Sequence, residues 1–361
     1  MAYRNKVSKV ESNCFFKSLI PIISLYWGSQ ERAFAWFAIL TLLALSILGV
    51  VSALAINEWY KNFYNAIQDR DVRGFYSLIG FFVGISIFCV ARLVAVTYLV
   101  DLLALKWRRW LTRYYISKWG SASARAHEIE WIIDNPDQRI AEDIKKFTFE
   151  SLDLLCGLIY TAVSIISFSF VLVEISGEAS VWGVTVPAHM FWAAILYAFF
   201  GTYICQRIGS SLVLLSNDQQ RSEADLRFEL VSFRSNSLMQ RIEKINCSRK
   251  ASVMKKLEVS LTNMRQVIMV KSRLTLFSIS YNKFCLIFSS MLAVPRFFAG
   301  SLSFGDIMQI NSAFGNLCEN LCWFISAYER LAAWKATTQR LLDIDKVLIE
   351  CSGGAAALND H

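Results

Sequence analysis

The sequence predicts an all-α polytopic membrane protein of six transmembrane helices with long polar helical extensions. Two observations carry that prediction. Hydrophobic residues make up 55% of the chain and charged residues only 18%, against roughly 25% charged in an average soluble domain. Apolar runs close to the roughly 20 residues needed to cross a bilayer recur six times. A mean hydropathy of +0.39 excludes the alternative for 361 residues, two or three soluble domains with polar surfaces.

The first 32 residues read as a basic N-terminus and a short helix. The stretch Cys14–Trp27 contains Lys17 and Pro21 and is too short to span, so it reads as an interfacial elbow. The first span covers about 33–56 and carries no charge. Phe34, Trp36 and Phe37 stand at one edge and Trp59, Tyr60, Phe63 and Tyr64 at the other, an aromatic belt at both interfaces. The second span covers about 75–98, with Arg92 near its end. A polar helical stretch follows, broken at Asp134-Asn135-Pro136, where proline disfavours helix in the residue before it and Asp/Asn suits a cap. The third span is about 154–173. A loop with Gly177, Gly183 and Pro187 leads to the fourth, about 190–208.

Residues 216–273 contain neither proline nor glycine and read as one long polar helix or a pair. The fifth span, about 274–294, is closed by Pro295, and the sixth is about 304–327. A charged helix then runs to about Ile349, and Ser352-Gly353-Gly354-Ala355 begins a loose tail. The transmembrane domain is thus 33–330, and 331–361 form a C-terminal helix and tail.

Charge sets the expected orientation. Residues 101–150 carry nine Lys/Arg and 207–273 thirteen, whereas 174–189 carry none. The basic excursions should face the cytoplasm, with both termini inside. The net charge of +8 belongs to this membrane asymmetry, not to nucleic-acid binding. The nine cysteines sit singly and no CxxC occurs, so they read as small buried hydrophobes. No HExxH, GxSxG or GxxxxGK[ST] motif occurs. The expectation is therefore no enzyme, no metal, no cofactor and no nucleotide-binding domain.

Two large polar excursions, between spans two and three and between spans four and five, resemble the membrane domains of type IV ABC exporters. Several stretches further resemble the SbmA/BacA family and the ABC transporters with an SbmA/BacA-like membrane domain. They are Tyr26-Trp27-Gly28-Ser29-Gln30-Glu31-Arg32, the run from Asn57 to Gln68, Trp107-Arg108-Arg109-Trp110, Asn135 to Asp143, Gln219 to Leu230, Pro295-Arg296-Phe297-Phe298-Ala299-Gly300 and Trp323-Phe324-Ile325-Ser326. The resemblance implies a homodimer in a bacterial inner membrane that imports antimicrobial or modified peptides. Its ATP-driven relatives include an importer of hydrophilic solutes and cobalamin. The extra N-terminal span of the standalone transporters is not evident, and Asn135-Pro136-Asp137-Gln138 looks closer to the ATPase-bearing relatives.

Proton-driven transport needs carboxylates whose pKa alternates between two environments. Asp225 and Glu229 are four apart and share a helix face, whereas Glu223 does not share a face with Asp225. Glu223, Glu229 and Glu142 match carboxylates of the proton-coupled members. The bland alternative is a solvated face paired with Arg221 and Arg227. Within the apolar runs stand Arg92, Lys283, Asp306 and Glu319, positions where charge is costly and usually has a partner. Lys283 and Glu319 lie at similar depth and could pair. Asp306, just after Gly305, suits a helix N-terminus. Asn57, Trp59, Tyr60 and Tyr64 read either as an aromatic substrate entry, with Lys283 as a further cavity candidate, or as an interface belt.

The reading that follows is a secondary importer of peptides driven by the proton gradient through Glu142, Glu223, Asp225, Glu229 and Glu319. Moving a two-state equilibrium from 1:99 to 99:1 takes about 5.5 kcal/mol. One proton across 100 mV supplies about 2.3 kcal/mol, so two or more would move. The alternative is the membrane subunit of an ABC transporter for peptides or bulky hydrophilic solutes such as cobalamin, served by a separate ATPase. A third reading is a non-transporting receptor or scaffold.

Overall fold

The structure, a computed structural model, describes residues 19–121, 136–181, 184–236 and 243–356. Residues 19–27 form α1. Long helices follow as α2 (Arg32–Gln68), α3 (Val72–Ser121) and α4 (Ile144–Ser176), the last entered through a turn at Pro136–Gln138 and a π turn at Arg139–Asp143. A hairpin of β1 (Glu178–Val181) and β2 (Val184–Pro187) leads to α5 (His189–Gly209), α6 (Leu212–Asn236), α7 (Glu243–Phe298) and α8 (Phe304–Ala356). Two compact units result. The larger comprises Met1–Ile175 with Ala299–His361, and the smaller is Ser176–Phe298.

Five segments are long and apolar enough to cross a membrane: Arg32–Gln68, Val72–Gly120, Arg139–Ser176, His189–Phe233 and Lys250–Phe298. The chain is a multi-pass membrane protein, and its apolar runs are the middles of longer helices. The expected sixth span is more polar. Gln309, Asn311, Asn316, Glu319 and Asn320 interrupt the first half of α8, yet Ile310, Ala313, Phe314, Leu317 and Cys318 around them are buried. Most of this half of α8 packs against protein, where Asn320 finds a partner in Ser164 although Glu319 stays exposed, and it need not be as apolar as a lipid-facing helix.

The core of the larger unit shows helical spacing throughout. Ala35, Ala38, Ile39 and Leu42 on α2 face Leu103, Ala104, Trp107, Leu111 and Tyr115 on α3, with Leu19, Ile22 and Tyr26 of α1 between them. Ile144 and Phe147 of α4 and Leu341, Leu342, Ile344 and Leu348 of α8 complete the cluster. The elbow therefore does more than lie on a bilayer, although its expected start at Cys14 falls outside the described residues. Trp107, from the Trp107-Arg108-Arg109-Trp110 stretch, is also inside, because positions 103, 107 and 111 share the buried face. Its ring stacks on Tyr26 at 5.9 Å.

Turns and caps follow local chemistry. Between α2 and α3, Arg70 takes a left-handed φ of 56°, and the Asp71 carboxylate accepts from the Gly74 amide at 3.1 Å, capping α3. At the start of α8, the Ser303 amide donates to Asp306 while the Asp306 amide donates to Ser303 Oγ, a reciprocal capping box.

Three expectations are corrected. The loop at 174–189 contains an antiparallel hairpin that pairs Glu178 with Pro187 and Val181 with Val184; its valines and threonine favour strand. Pro295 does not close the fifth helix, which continues to Phe298; in a last turn the proline forfeits a single helical hydrogen bond. The residues Ser352–Ala355 do not begin a loose tail but continue α8 to Ala356.

Candidate functional site

In the smaller unit, α6 and α7 form an antiparallel pair, and the predicted carboxylates lie along their seam. Glu223 accepts from Gln219 Nε2 at 2.7 Å, and the same amide reaches Ser260 of α7 at 3.2 Å. Asp225 pairs with Lys256 at 2.8 Å. Glu229 accepts from Ser252 Oγ at 3.1 Å. Ser252, Lys256 and Ser260 are each four apart and share one face of α7. Asn263 continues the seam by donating to Ser222 Oγ at 3.2 Å. Glu223 and Asp225 are exposed and Glu229 half-buried. The partners are thus the α7 side chains and Gln219, where the sequence suggested Arg221 and Arg227.

Glu142 lies in the larger unit, exposed on the π turn, where Gln138 donates to it at 3.3 Å. The next residue is the one that is held. Asp143 is 6% exposed, and Arg340 of α8 grips both its oxygens at 2.7 Å. These hydrogen bonds hold the Arg340 guanidinium above its ordinary pKa. Sequence reading missed this pair because a π turn shifts which residue faces inward, and nothing in the local pattern announces that shift. Three further pairs were also missed. Arg330 bonds Glu150 at 2.9 Å and also Asp153, and Lys118 bonds Asp345 at 3.1 Å. Together they fasten the polar half of α8 to α3, the π turn and α4.

The run from Asn57 to Gln68 is a two-sided fastening. Asn57 is buried and donates to the Gln309 carbonyl at 2.9 Å. Lys61 pairs with Asp306 at 3.0 Å. Asn65 accepts from the Gly305 amide at 2.9 Å, and Gln68 from the Phe304 amide at 3.3 Å. Tyr64 meets Phe304 edge-on at 5.6 Å and stacks on Tyr60. Positions 57, 61, 64, 65 and 68 form one helix face, and they dock the N-terminus of α8. The other face docks α3, where Trp59 donates to the Leu78 carbonyl at 2.8 Å and stacks on Phe82 at 4.4 Å.

Deeper in the larger unit, Asn320 donates to Ser164 of α4 at 2.9 Å. Arg92 turns to α2, where it donates to the Leu45 carbonyl at 3.2 Å and lies against Gly49. Glu319 is exposed on α8. Lys283 is exposed on α7 and belongs to the smaller unit, whereas Glu319 belongs to the larger. In the smaller unit, Tyr197 of α5 donates to the Tyr281 carbonyl of α7 at 2.7 Å, and Tyr281 donates back to the Tyr197 carbonyl at 3.2 Å. The Tyr281 ring lies over Gly201. Among the described residues no three His, Cys, Asp or Glu side chains gather as metal ligands.

A family described as ABC transporter transmembrane region 2 matches residues 22–298, from α1 to the end of α7. The chain belongs to that family. As an ABC transmembrane region it is similar to ABC transporter D family member 2, chloroplastic, of Arabidopsis thaliana, with 26% identity over 94% of this chain and 46% of the relative. It is similar to the inner membrane ABC transporter ATP-binding protein YddA of Escherichia coli, with 27% identity over 90% of this chain and 60% of the relative. It also resembles the human lysosomal cobalamin transporter ABCD4, with 22% identity over 62% of this chain and 35% of the relative. This ABC transmembrane region thus spans about half the length of the first two relatives.

Proposed function

We propose that the chain is the membrane half of an ABC transporter, moving peptides or bulky hydrophilic solutes with energy supplied by an ATPase outside these 361 residues. The family match over 22–298 carries the reading. The lengths of the relatives support it, because they extend well beyond the part this chain resembles. The match also supports the ATP-driven reading over the proton-driven one. Cobalamin comes forward as a candidate solute from the name of the human relative.

In this reading the first half of α8 is the sixth span, and two copies form the transport path in a bacterial inner membrane with both termini cytoplasmic. The basic excursions of α3, α6 and α7 then face the ATPase. The π turn at Arg139–Asp143, clamped by Arg340, serves as the coupling surface. Its support is mechanical: a push on a turn pinned to α8 reaches the membrane through a continuous helix.

The test is uptake of labelled peptide and labelled cobalamin into proteoliposomes. The chain alone, with acid outside and no ATP, should take up neither. A chimera joining this chain to the remainder of the Escherichia coli relative should take up one of them when ATP is supplied. Uptake by the chain alone that a protonophore abolishes would overturn the reading and restore proton coupling.

A further inference from the structure

Five tryptophans, Trp27, Trp36, Trp107, Trp323 and Trp334, line one cavity of the larger unit, of about 650 Å³. That volume falls within the roughly 300–1,000 Å³ of small-molecule sites. The cavity is built by α1, α2, α3, α4 and α8, and its wall is almost wholly apolar. The two serines in the wall are occupied inside the protein. Ser24 donates to the Pro21 carbonyl at 2.8 Å. Ser151 donates to the Phe147 carbonyl at 2.6 Å and accepts from Trp334 at 2.7 Å. One buried donor in the wall is left over. Trp107 is 2% exposed, and its indole N–H meets no acceptor among the described residues.

The matching ligand is therefore apolar along its length and offers an acceptor for that buried donor. The cavity opens among Ile20, Trp36, Leu155 and Leu158, which line it and are also exposed, so the bilayer itself is the medium at its mouth. Cations stand close by in the fold. Lys106 precedes Trp107 and holds its ammonium 3.4 Å from the Phe34 ring, and Arg32 is exposed at the start of α2. Arg109 is exposed one residue beyond Arg108.

We propose that this cavity holds one acyl chain of an anionic phospholipid from the leaflet that covers α1, with the ester carbonyl accepting from Trp107 and the phosphate beside Lys106 and Arg32. A long apolar chain with one carbonyl at its head satisfies the wall and the orphan donor together, and the basic rim supplies the preference for negative charge. The lipid fixes the elbow to the bundle and does not depend on which solute is moved.

The test is lipid retention. The full chain is extracted from vesicles of equal phosphatidylglycerol and phosphatidylcholine, passed through detergent exchange, and its bound lipid identified by native mass spectrometry. The wild type should retain one phospholipid per chain, enriched in phosphatidylglycerol. Leu155→Trp, which fills the mouth, should lower retention to background, and Trp107→Phe, which keeps the ring and removes the donor, should lower it several-fold. Leu196→Trp on α5 should change nothing. If Leu155→Trp is not monodisperse, Ile23→Trp takes its place. A wild type that retains no phospholipid, or only free fatty acid, overturns the proposal. So does equal retention in wild type and the mouth-filling variant, which is the result expected of loosely associated lipid.

Discussion

At Gly305 the start of α8 lies close against α2, and Gly305→Ala should loosen the joint between them. A methyl group there would lie 2.6 Å from Asn65 Oδ1 and nearer still to the Lys61 carbonyl oxygen. Real Cβ atoms do not approach other atoms within 3.0 Å. The Asn65 side chain can rotate away, but the Lys61 carbonyl is helix backbone and cannot. The start of α8 must therefore retreat, which stretches the Gly305–Asn65 hydrogen bond and the Lys61–Asp306 pair. Overpacking costs about 1–3 kcal/mol, and the lost amide hydrogen bond about 1 kcal/mol. Alanine returns about 0.5–1 kcal/mol of helix propensity. The net destabilisation is about 1–3.5 kcal/mol.

Gly315, on the same helix, supplies the control, because a Cβ there meets nothing within 4 Å. Gly315→Ala should keep or raise stability through propensity alone. The assay is a thiol-reactive dye melt at one fixed scan rate, which suits a chain with nine cysteines and an unfolding that need not be reversible. Gly305→Ala should lower the apparent midpoint by several degrees while Gly315→Ala does not. Equal shifts for the two variants would refute the docking of α8 on α2. The double variant Gly305→Ala with Asn65→Ala should recover only part of the loss, since the Lys61 carbonyl remains.

Three further outcomes are expected. Arg340→Ala should lower the melting midpoint more than Asp143→Asn, because it leaves a buried carboxylate unpaired; with the arginine side chain 41% exposed, the larger effect is about 1–3 kcal/mol, and equal effects in the same melt would count against the clamp. Gly201→Val should destabilise the smaller unit, since its Cβ collides with a Tyr281 ring held by two hydrogen bonds; accelerated proteolysis within α5–α7 is the readout, and wild-type resistance would show that the ring can move aside. Glu223→Gln and Glu229→Gln should leave ATP-driven uptake in the chimera unchanged, since Gln219 and Ser252 can bond an amide; loss of uptake with expression intact would return charge movement to these carboxylates.

The fold was legible where a pattern reports burial directly. Apolar runs located the membrane helices, and the absence of proline and glycine from 216–273 foretold helix on both sides of the stretch 237–242. Side-chain roles were less legible, because a motif names residues without saying which way they face. The aromatic run at the end of α2 reads as a belt or an entry, yet Trp59 is fastened to the Leu78 carbonyl and Asn57 to the Gln309 carbonyl. Only three-dimensional register shows that one face holds α8 and the other α3. The same limit turned attention to Glu142 when its neighbour Asp143 is the buried one.

The polar residues of α8 join these observations into one physical account. Gln309, Asn316 and Asn320 are spaced by seven and four and lie along one side of the helix. Polar groups facing lipid lack partners, whereas here Asn320 reaches Ser164 of α4 and the Gln309 backbone carbonyl receives Asn57 of α2, while Asn316 bonds the Ser312 carbonyl of its own helix. A helix that satisfies its polar groups among neighbours gains a fixed rotation about its axis, because turning it would strand them. That fixed rotation bears on the proposed role as the membrane half of a transporter. The far end of the same helix carries Arg330 and Arg340, gripping α4 and the π turn. In that reading a displacement of the turn would reach the membrane as a movement of a helix tied to its neighbours at both ends, while α3, whose apolar window buries none of its residues, would meet the lipid.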